Sequence, residues 1–270
     1  MNNLEIRNEL VDNYEHIDSN LEYIIENILQ SDDGSDEYKN LELDFQSSII
    51  KSCNCELNSC ENDGCLHGGN YKIRNNQLVL REDRKSKDLI YECNENCECS
   101  NVCLNKLVQF GPIDGLEIQN FGTKGCGLIT TKKLLKGTFI CEYAGEILTK
   151  SEAIRRDQSN NSMNYILCLN EISSESNSNK IQTFIDPSMK GNIGRYLNHS
   201  CDPNCEILSV RVDSIIPKIA IFAKRDICEN EELTFSYGTV DLNFINENNK
   251  KFCYCGAQNC KTYLPNLTFC

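Results

Sequence analysis

The chain has 270 residues, enough to bury a sizeable core in one large or two modest domains. Of its formal charge of -13, residues 1–50 contribute -11 through thirteen acidic and two basic side chains, which leaves -2 for the rest. The near-neutral remainder has no basic stripe and excludes a basic nucleic-acid binder. No run approaches the roughly 18 apolar residues of a membrane span, and the first residues are polar rather than a secretory signal.

The N-terminal region is predicted to be an acidic helix followed by a linker. Six apolar side chains recur at helical spacing: Leu10, Tyr14, Ile17, Leu21, Ile24 and Ile28. We therefore expect a helix over residues 9–30 and an acidic linker over Ser31–Glu37. The helix is expected to pack on the following domain; a short coiled-coil dimer or a protein partner are the alternatives.

Eight cysteines crowd into residues 53–103 in a segment with little apolar filler: Cys53, Cys55, Cys60, Cys65, Cys93, Cys97, Cys99 and Cys103. A disulfide framework would require an oxidising compartment, for which the sequence has no signal. Clustered thiolates in a reducing compartment indicate zinc, which would then supply folding energy for the segment. The chain ends with Cys253-x-Cys255-x4-Cys260; three ligands leave a tetrahedral site incomplete, and Cys201 is the candidate for the fourth.

Short apolar strands dominate the region between the two cysteine groups. The predicted strands are Leu116–Phe121, Gly127–Thr130, Thr138–Tyr143, Tyr165–Leu169, Thr183–Ile185, Glu206–Val212 and Ile219–Ala223. One helix over Ser151–Arg156 interrupts them, and the polar tract Ser173–Asn179 is expected to be a loop insertion.

Five motifs follow one another in an order that resembles one enzyme family. They are Lys124-Gly125-Cys126-Gly127, Glu142-Tyr143-Ala144-Gly145-Glu146, Arg195-Tyr196-Leu197-Asn198-His199-Ser200-Cys201-x-Pro203-Asn204, Phe235-Ser236-Tyr237-Gly238 and Cys253-x-Cys255-x4-Cys260. Over about residues 53–264 the chain resembles the SET-domain protein lysine methyltransferases that carry pre-SET and post-SET zinc modules. The runs Cys141–Glu146 and Gly191–Arg195 are similar to the subgroup in which a SET module is fused to a mariner transposase.

The resemblance implies a mainly β fold of small curved sheets with a C-terminal pseudoknot, an exception to unthreaded topology. The implied organisation is an acidic N-terminal helix and linker (1–50), a pre-SET zinc cluster (51–111), a SET catalytic domain (112–240) and a post-SET zinc segment (241–270). The threading would bring Asn198 and His199 beside the strand of Tyr237 and Cys201 beside the last three cysteines.

S-adenosylmethionine is the cofactor that the resemblance implies. Its expected contacts are Lys124, Gly125, Cys126, Gly127, Tyr165, Arg195, Asn198, His199 and Tyr254. The two glycines would admit backbone close to the ligand, although an ordinary tight turn is the favoured explanation when they are considered without the other motifs. Cys126 stands where the family usually has tryptophan, and Arg195 is expected to pair with the cofactor carboxylate or a local acid. Tyr165 as a strand aromatic and Tyr254 as an exposed tyrosine are the open alternatives.

Tyr237, Tyr143 and Phe235 are the catalytic candidates implied by the resemblance. The two tyrosines would line the lysine channel and orient the amine, with sheet packing as the alternative for Tyr143. Phe235 sits where the family sets product multiplicity, and a ring without a hydroxyl predicts di- or trimethylation.

The expected function is methylation of a histone H3 tail or nucleosome in nuclear chromatin, at lysine nine by analogy or at lysine thirty-six as runner-up. A catalytically silent, zinc-scaffolded chromatin-binding module is the alternative from another class.

One position departs from the family pattern of nine pre-SET cysteines. This chain has eight, and His67 stands where the ninth belongs. Imidazole is suited to a terminal position but not to bridging, so three zinc ions with His67 as a terminal ligand are predicted, with a fourth zinc at the post-SET site. The alternative is a loop histidine beside a depleted cluster.

Overall fold

The computed structural model describes residues 9–48, 51–55, 60, 64–84, 89–99, 103–159, 165–172, 180–238 and 251–265. Within these ranges the fold is mainly β, as predicted, with two α-helices, α1 (Asp36–Gln46) and α2 (Lys150–Ser159). Neither described helix has the length and apolar character that a membrane crossing requires. In chain order the strands are β1 (Glu22–Tyr23), β2 (Ile28–Leu29), β3 (Tyr71–Arg74), β4 (Gln77–Leu80), β5 (Leu89–Tyr91), β6 (Leu116–Asn120), β7 (Cys126–Thr130), β8 (Phe139–Glu142), β9 (Glu146–Leu148), β10 (Leu167–Ile172), β11 (Lys180–Asp186), β12 (Lys190–Gly191), β13 (Asn198–His199), β14 (Cys205–Arg211), β15 (Lys218–Ala223) and β16 (Glu232–Phe235).

Three four-stranded sheets share the main hydrophobic core. Their strand orders are β10-β11-β9-β2, β13-β16-β7-β6 and β5-β14-β15-β8. Ile147, Leu233 and Ile221, one from each sheet, are at most 1% exposed and belong to the same buried cluster. The small sheets therefore enclose one core rather than standing apart.

The β3–β4 hairpin joins the cysteine-rich region to the sheets. Asn75 and Asn76 occupy its turn with φ of 49° and 62°, the pair of positive values that a tight two-residue hairpin requires. Tyr71 from β3 stacks over Phe222 from β15, with ring centroids 6.4 Å apart. A second buried cluster thus ties the hairpin to the sheet that contains β8.

The helix predicted over residues 9–30 is wrong. The described segment forms β1, which pairs in parallel with β12, and β2, which pairs in parallel with β9. The apolar residues do not form one face, because Ile24 is buried whereas Ile17 is 64% exposed. Pairing of the backbone with β12 and β9 overrides the helical spacing of the apolar residues, since helix propensity is a weak determinant compared with tertiary contacts.

The N-terminal helix begins inside the predicted linker, so that boundary is also wrong. The Ser35 hydroxyl accepts a hydrogen bond from the Tyr38 backbone N–H at 2.9 Å and caps α1, while Asp36 and Glu37 occupy its first turn. Tyr38 is buried, and Leu41 and Phe45 pack on the main core. The helix packs on the following domain, and a protein partner for its acidic side stays a prediction.

The seven predicted strands and the helix at Ser151–Arg156 all correspond to observed elements, with no end displaced by more than three residues. The unpredicted β13 is the important addition, because it pairs in parallel with β16. The predicted loop insertion Ser173–Asn179 lies outside the described residues.

Candidate functional site

The site is organised by a short segment that packs against the strand leading to Tyr237. A 3₁₀ turn at Ile193–Tyr196 precedes β13, whose residues Asn198 and His199 pair with Thr234 and Phe235 of β16. Gly194 is required here, because a Cβ atom would lie 2.4 Å from the Glu142 carbonyl oxygen. The segment from Ile193 to His199 therefore lies between the end of β8 and β16.

The three predicted catalytic side chains form one aromatic cluster. The Phe235 ring centroid lies 5.8 Å from that of Tyr143 and 4.9 Å from that of Tyr237. The Tyr143 hydroxyl donates to the Tyr165 carbonyl at 2.6 Å, and the Tyr237 hydroxyl donates to the Leu197 carbonyl at 2.9 Å. Each hydroxyl has its proton fixed and keeps lone pairs that can accept from a ligand.

Burial raises the pKa of both Tyr143 and Tyr237. Neighbouring Tyr165 and, for Tyr237, Glu232 act in the same direction through their charge. Both phenols are therefore neutral at physiological pH, which suits them to orienting a substrate rather than removing its proton.

A second group of predicted residues surrounds the glycine motif. Gly125 has φ of 80° and closes a turn after the 3₁₀ segment Gly122–Lys124. A Cβ atom at Gly127 would lie 2.6 Å from the Phe121 ring and 2.8 Å from the Asn198 amide nitrogen. The Asn198 amide donates to the Cys126 carbonyl at 3.3 Å, so β13 is joined directly to this turn. The two glycines thus serve different purposes, a backbone reversal and a close approach.

Glu232 is a site residue that sequence reasoning missed. Its carboxylate accepts from the Asn198 amide at 3.0 Å and pairs with the Lys124 ammonium. Lys124 also lies over the Phe121 ring, 4.8 Å from its centroid. The sequence places the acidic Glu232 on a strand beside apolar residues, which could have indicated a site residue. Its partners Asn198 and Lys124, however, are 34 and 108 residues away along the chain.

Arg195 lies against Tyr165, with the guanidinium carbon 4.6 Å from the ring centroid. Its donors reach the Pro187 carbonyl at 3.0 Å and the Ser188 carbonyl at 3.4 Å. No acidic side chain is hydrogen-bonded to Arg195 in the described part of the chain, but Asp18 is near enough that, after its hydrogen bonds from Asn20, the charge of Arg195 also lowers the pKa of its carboxyl. Sequence reasoning missed the carbonyl alternative because the turn at 187–188 approaches only in the folded chain.

His199 connects the aromatic cluster to the last cysteine group. Its Nδ1 atom accepts from the Tyr237 backbone N–H at 3.1 Å, so the ring proton resides on Nε2, 3.4 Å from the Cys201 sulfur. Burial lowers the pKa of His199, which keeps the ring neutral. Tyr254 stands between Cys253 and Cys255 of this group, is 55% exposed and makes a described ring contact with Phe252 only.

The four post-SET sulfurs of Cys201, Cys253, Cys255 and Cys260 all lie within 4.8 Å of one another. The Cys201 and Cys253 sulfurs are 3.9 Å apart. Zinc–sulfur bonds of about 2.3 Å put tetrahedral thiolates about 3.8 Å apart, so the donor set fits zinc.

All eight pre-SET cysteines gather in one cluster, of which Cys55 alone is only partly buried. The Cys53 sulfur lies 3.9 Å from that of Cys60 and 3.8 Å from that of Cys93. Cys53 belongs to three of the four-ligand groups and Cys93 to two, the arrangement expected when some thiolates bridge metal ions. The sulfur spacing again fits zinc.

His67 is drawn into this cluster and is 7% exposed. One of its ring nitrogens lies within 4.8 Å of the sulfurs of Cys53, Cys93 and Cys97, and Nδ1 is 3.9 Å from the Cys97 sulfur. The other, Nε2, is 2.6 Å from the Lys51 carbonyl, to which it donates, because a carbonyl only accepts. This leaves Nδ1 with its lone pair free beside the sulfurs.

The fold and these two cysteine groups define a SET domain with flanking thiolate clusters. A SET domain model matches residues 125–238 and a Pre-SET motif model matches residues 2–106. The rat histone-lysine N-methyltransferase SETMAR is 40% identical over 242 residues, which cover 83% of this chain and 75% of the rat protein. This chain belongs to the SET-domain histone-lysine N-methyltransferases.

Solved structures agree. The methyltransferase domain of human SETMAR superposes with a TM-score of 0.73 at 32% identity, over 95% of this chain and 93% of that one. KRYPTONITE, solved with mCHH DNA, an H3(1-15) peptide and SAH, matches with a TM-score of 0.68 at 26% identity, over 91% of this chain and 48% of that one. The predicted resemblance and mainly β SET fold are confirmed.

Proposed function

We propose that the protein transfers methyl groups from S-adenosylmethionine to a lysine of the histone H3 tail, in nuclear chromatin. The observation that carries the proposal is the cluster of Tyr143, Phe235 and Tyr237, closed by the segment that pairs β13 with β16. Such a cluster accepts the apolar stem of a lysine while its two hydroxyls face the amine. The related KRYPTONITE complex, which holds an H3 peptide and SAH, supports the same pairing of ligands.

The cofactor would lie beside the glycine turn. Gly125, Cys126 and Gly127 would face it through their backbone, as would His199 of β13, and Asn198 would hold it through its backbone and side-chain amide. Lys124, Tyr165, Arg195 and Tyr254 are the remaining proposed contacts. Because Arg195 already donates to two carbonyls, its proposed part is to support Tyr165, over whose ring it stacks.

S-adenosylmethionine supplies an electrophilic methyl group on a positively charged sulfur. Tyr237 and Tyr143 each donate their own proton to a backbone carbonyl, so each oxygen keeps lone pairs that would accept from the substrate amine. Orientation of that amine is the main contribution of these residues, since holding reactants in line lowers the barrier substantially. Their raised pKa values assign neither tyrosine to a general-base role.

Phe235 would allow di- or trimethylation. It is 2% exposed and packed between the two tyrosines, without a hydroxyl to hold a partly methylated amine in one orientation. The amine can then rotate and accept another methyl group.

Zinc would be held by the two thiolate clusters and would act structurally. We propose three ions in the pre-SET cluster, with His67 as a terminal ligand, and one ion bound by Cys201 and the last three cysteines. Because so many buried sulfurs face one another, metal is what makes this packing favourable.

Lysine nine is the favoured target, and the H3(1-15) peptide bound by KRYPTONITE includes that position. Lysine thirty-six is the second candidate, which the resemblance to the SET module fused to a mariner transposase implies; the chain is 40% identical to rat SETMAR. The test is radiolabelled methyl transfer to H3 peptides that span each lysine, with the target lysine replaced by alanine as the control. Label in the lysine-nine peptide alone supports the proposal, and label in the lysine-thirty-six peptide alone replaces it with the second candidate.

A catalytically silent chromatin-binding module is tested in the same experiment. It would bind cofactor and peptide in calorimetry but transfer no label. The complete aromatic cluster argues against it, since a binding module does not need two tyrosine hydroxyls to orient an amine for methyl transfer.

A further inference from the structure

A cavity of about 270 Å³ lies where the pre-SET hairpin meets the SET sheets. Residues 76–78 of the hairpin, residues 106–111 of the connecting segment and residues 132–139 before and within β8 contribute to its lining. None of the lining residues belongs to the proposed methyl-transfer site or to the cysteine clusters. Its size is just below the roughly 300–1,000 Å³ of typical small-molecule sites, so a compact ligand would fill it.

The walls are largely apolar. Phe110, Leu134 and Phe139 are all at most 9% exposed and line the cavity. An apolar body of a ligand would be shielded from water on these sides.

Lys106 lines this cavity and is 6% exposed. Its ammonium makes no hydrogen bond or ion pair with any residue that the structure describes. The ammonium is not one of the fully buried atoms without a partner, so the stem of Lys106 is buried while its charged end stays accessible. The neighbouring buried carboxylate of Glu92 is already saturated by the Tyr71 hydroxyl and by the backbone N–H groups of Leu107 and Val108.

Thr138 supplies a second, independent observation. It lines the same cavity at 6% exposure, and its buried Oγ1 atom has no hydrogen-bond partner among the described residues. Its backbone is satisfied, since its N–H donates to the Leu135 carbonyl and its carbonyl accepts from Ala223. Buried hydroxyls in proteins are nearly always paired, so this one points to a group that the cavity receives.

We propose that the cavity binds a small apolar carboxylic acid, with its carboxylate on Lys106 and Thr138 and its hydrocarbon or aromatic body against Phe110, Leu134 and Phe139. A carboxylate accepts from both an ammonium and a hydroxyl, so one ligand group can bind Lys106 and Thr138 at once. Lys132 and Asp114 also line the cavity, so two cations face one anion and the lining carries a net charge of +1. A monoanion matches that charge, whereas a phosphate monoester would bring excess negative charge towards Asp114.

The location connects this ligand to the rest of the protein. The cavity wall continues through Phe139 into β8, which ends at Glu142 immediately before Tyr143. An occupant would brace the pre-SET hairpin against the strand that supports the aromatic cluster.

The test uses the full, zinc-loaded chain and four probes: benzoate, phenylacetate, phenyl phosphate and the neutral benzyl alcohol. Binding is measured by saturation-transfer NMR and calorimetry. The two carboxylates are expected to bind at least about tenfold more tightly than benzyl alcohol and phenyl phosphate. Lys106→Met should remove that preference, and Thr138→Val should weaken carboxylate binding severalfold.

Lys133→Met is the matched control, because Lys133 is an exposed lysine outside the lining, and it should leave binding unchanged. If Lys106→Met does not fold, Thr138→Val against wild type decides the comparison. Equal carboxylate binding by the wild type and the folded variants, or binding of no carboxylate, overturns the proposal.

Discussion

His199 is the residue through which the last cysteine group and Tyr237 are predicted to depend on each other. Its Nδ1 accepts from the Tyr237 N–H at 3.1 Å and its Nε2 proton faces the Cys201 sulfur at 3.4 Å. Two substitutions of His199 by an amide side chain test these two contacts separately. In His199→Asn the carbonyl oxygen replaces Nδ1 and the contact with sulfur is lost, whereas in His199→Gln the NH₂ group replaces Nε2 and the acceptor for Tyr237 is lost.

The expected magnitudes follow from the two hydrogen bonds. Loss of the acceptor for the partly buried Tyr237 N–H should cost about 1–1.5 kcal/mol, or about five- to tenfold in kcat/KM for His199→Gln. Loss of the donor to a metal-binding thiolate should weaken zinc retention by about tenfold or more in His199→Asn, with kcat/KM of the loaded enzyme within about twofold of wild type.

Steady-state methyl transfer at saturating cofactor measures the first effect, and competition with a chromogenic chelator measures the second. His199 is a positioning residue in this scheme, so the two readouts should separate between the two variants. If both variants lose activity and zinc in parallel, or if neither changes, the proposed connection does not exist.

The remaining predictions concern products, metal and acid stability. Phe235→Tyr should shift the products from di- and trimethyllysine to monomethyllysine, and mass spectrometry that finds only monomethyl product from the wild type would contradict the role of that ring. Cys201→Ser should remove one zinc ion per chain and weaken cofactor binding; full zinc content and activity in this variant would show that the fourth ligand lies elsewhere. His67→Ala should lose zinc from the pre-SET cluster whereas His67→Cys keeps it, and metal analysis that finds equal zinc in both variants and the wild type would restore the loop-histidine alternative. Burial opposes ionisation of Glu231, but hydrogen bonds, led by Arg225, lower its pKa from 4.5 to about 2. The ionised carboxylate therefore stabilises the fold above about pH 4.5, and this stabilisation is lost on acidification towards about pH 2. Denaturant titrations should show the difference in unfolding free energy between wild type and Glu231→Gln closing over that range, and a constant difference would refute the assignment.

The order of the motifs and the number of cysteine ligands allowed the fourth post-SET ligand to be predicted from the sequence. An incomplete tetrahedral site required a fourth sulfur, and the folded chain brings Cys201 within 4.8 Å of the other three across 52 residues. The core strands were also predictable, because alternating apolar residues in β14 and β15 leave few other ways to bury them.

Other contacts between distant segments were not predicted. Residues 9–30 have a helical spacing, yet their backbone completes two sheets whose open edges no sequence pattern announces. Glu232 likewise becomes a site residue only because β13 pairs in parallel with β16 and brings the Asn198 amide to its carboxylate. Lys106 and Thr138 are ordinary in sequence, and only their burial without partners makes them notable.

Methyl transfer to an H3 peptide by the wild type and by Tyr237→Phe is the most direct test of the proposed function. The zinc-loaded wild type should methylate lysine nine of a peptide spanning residues one to fifteen. Tyr237→Phe, which removes one hydroxyl and keeps the ring, should lower kcat by about tenfold or more while cofactor binding stays within about threefold. No transfer by the wild type to any H3 lysine, or an unchanged kcat in Tyr237→Phe, would contradict the proposed role of the aromatic cluster.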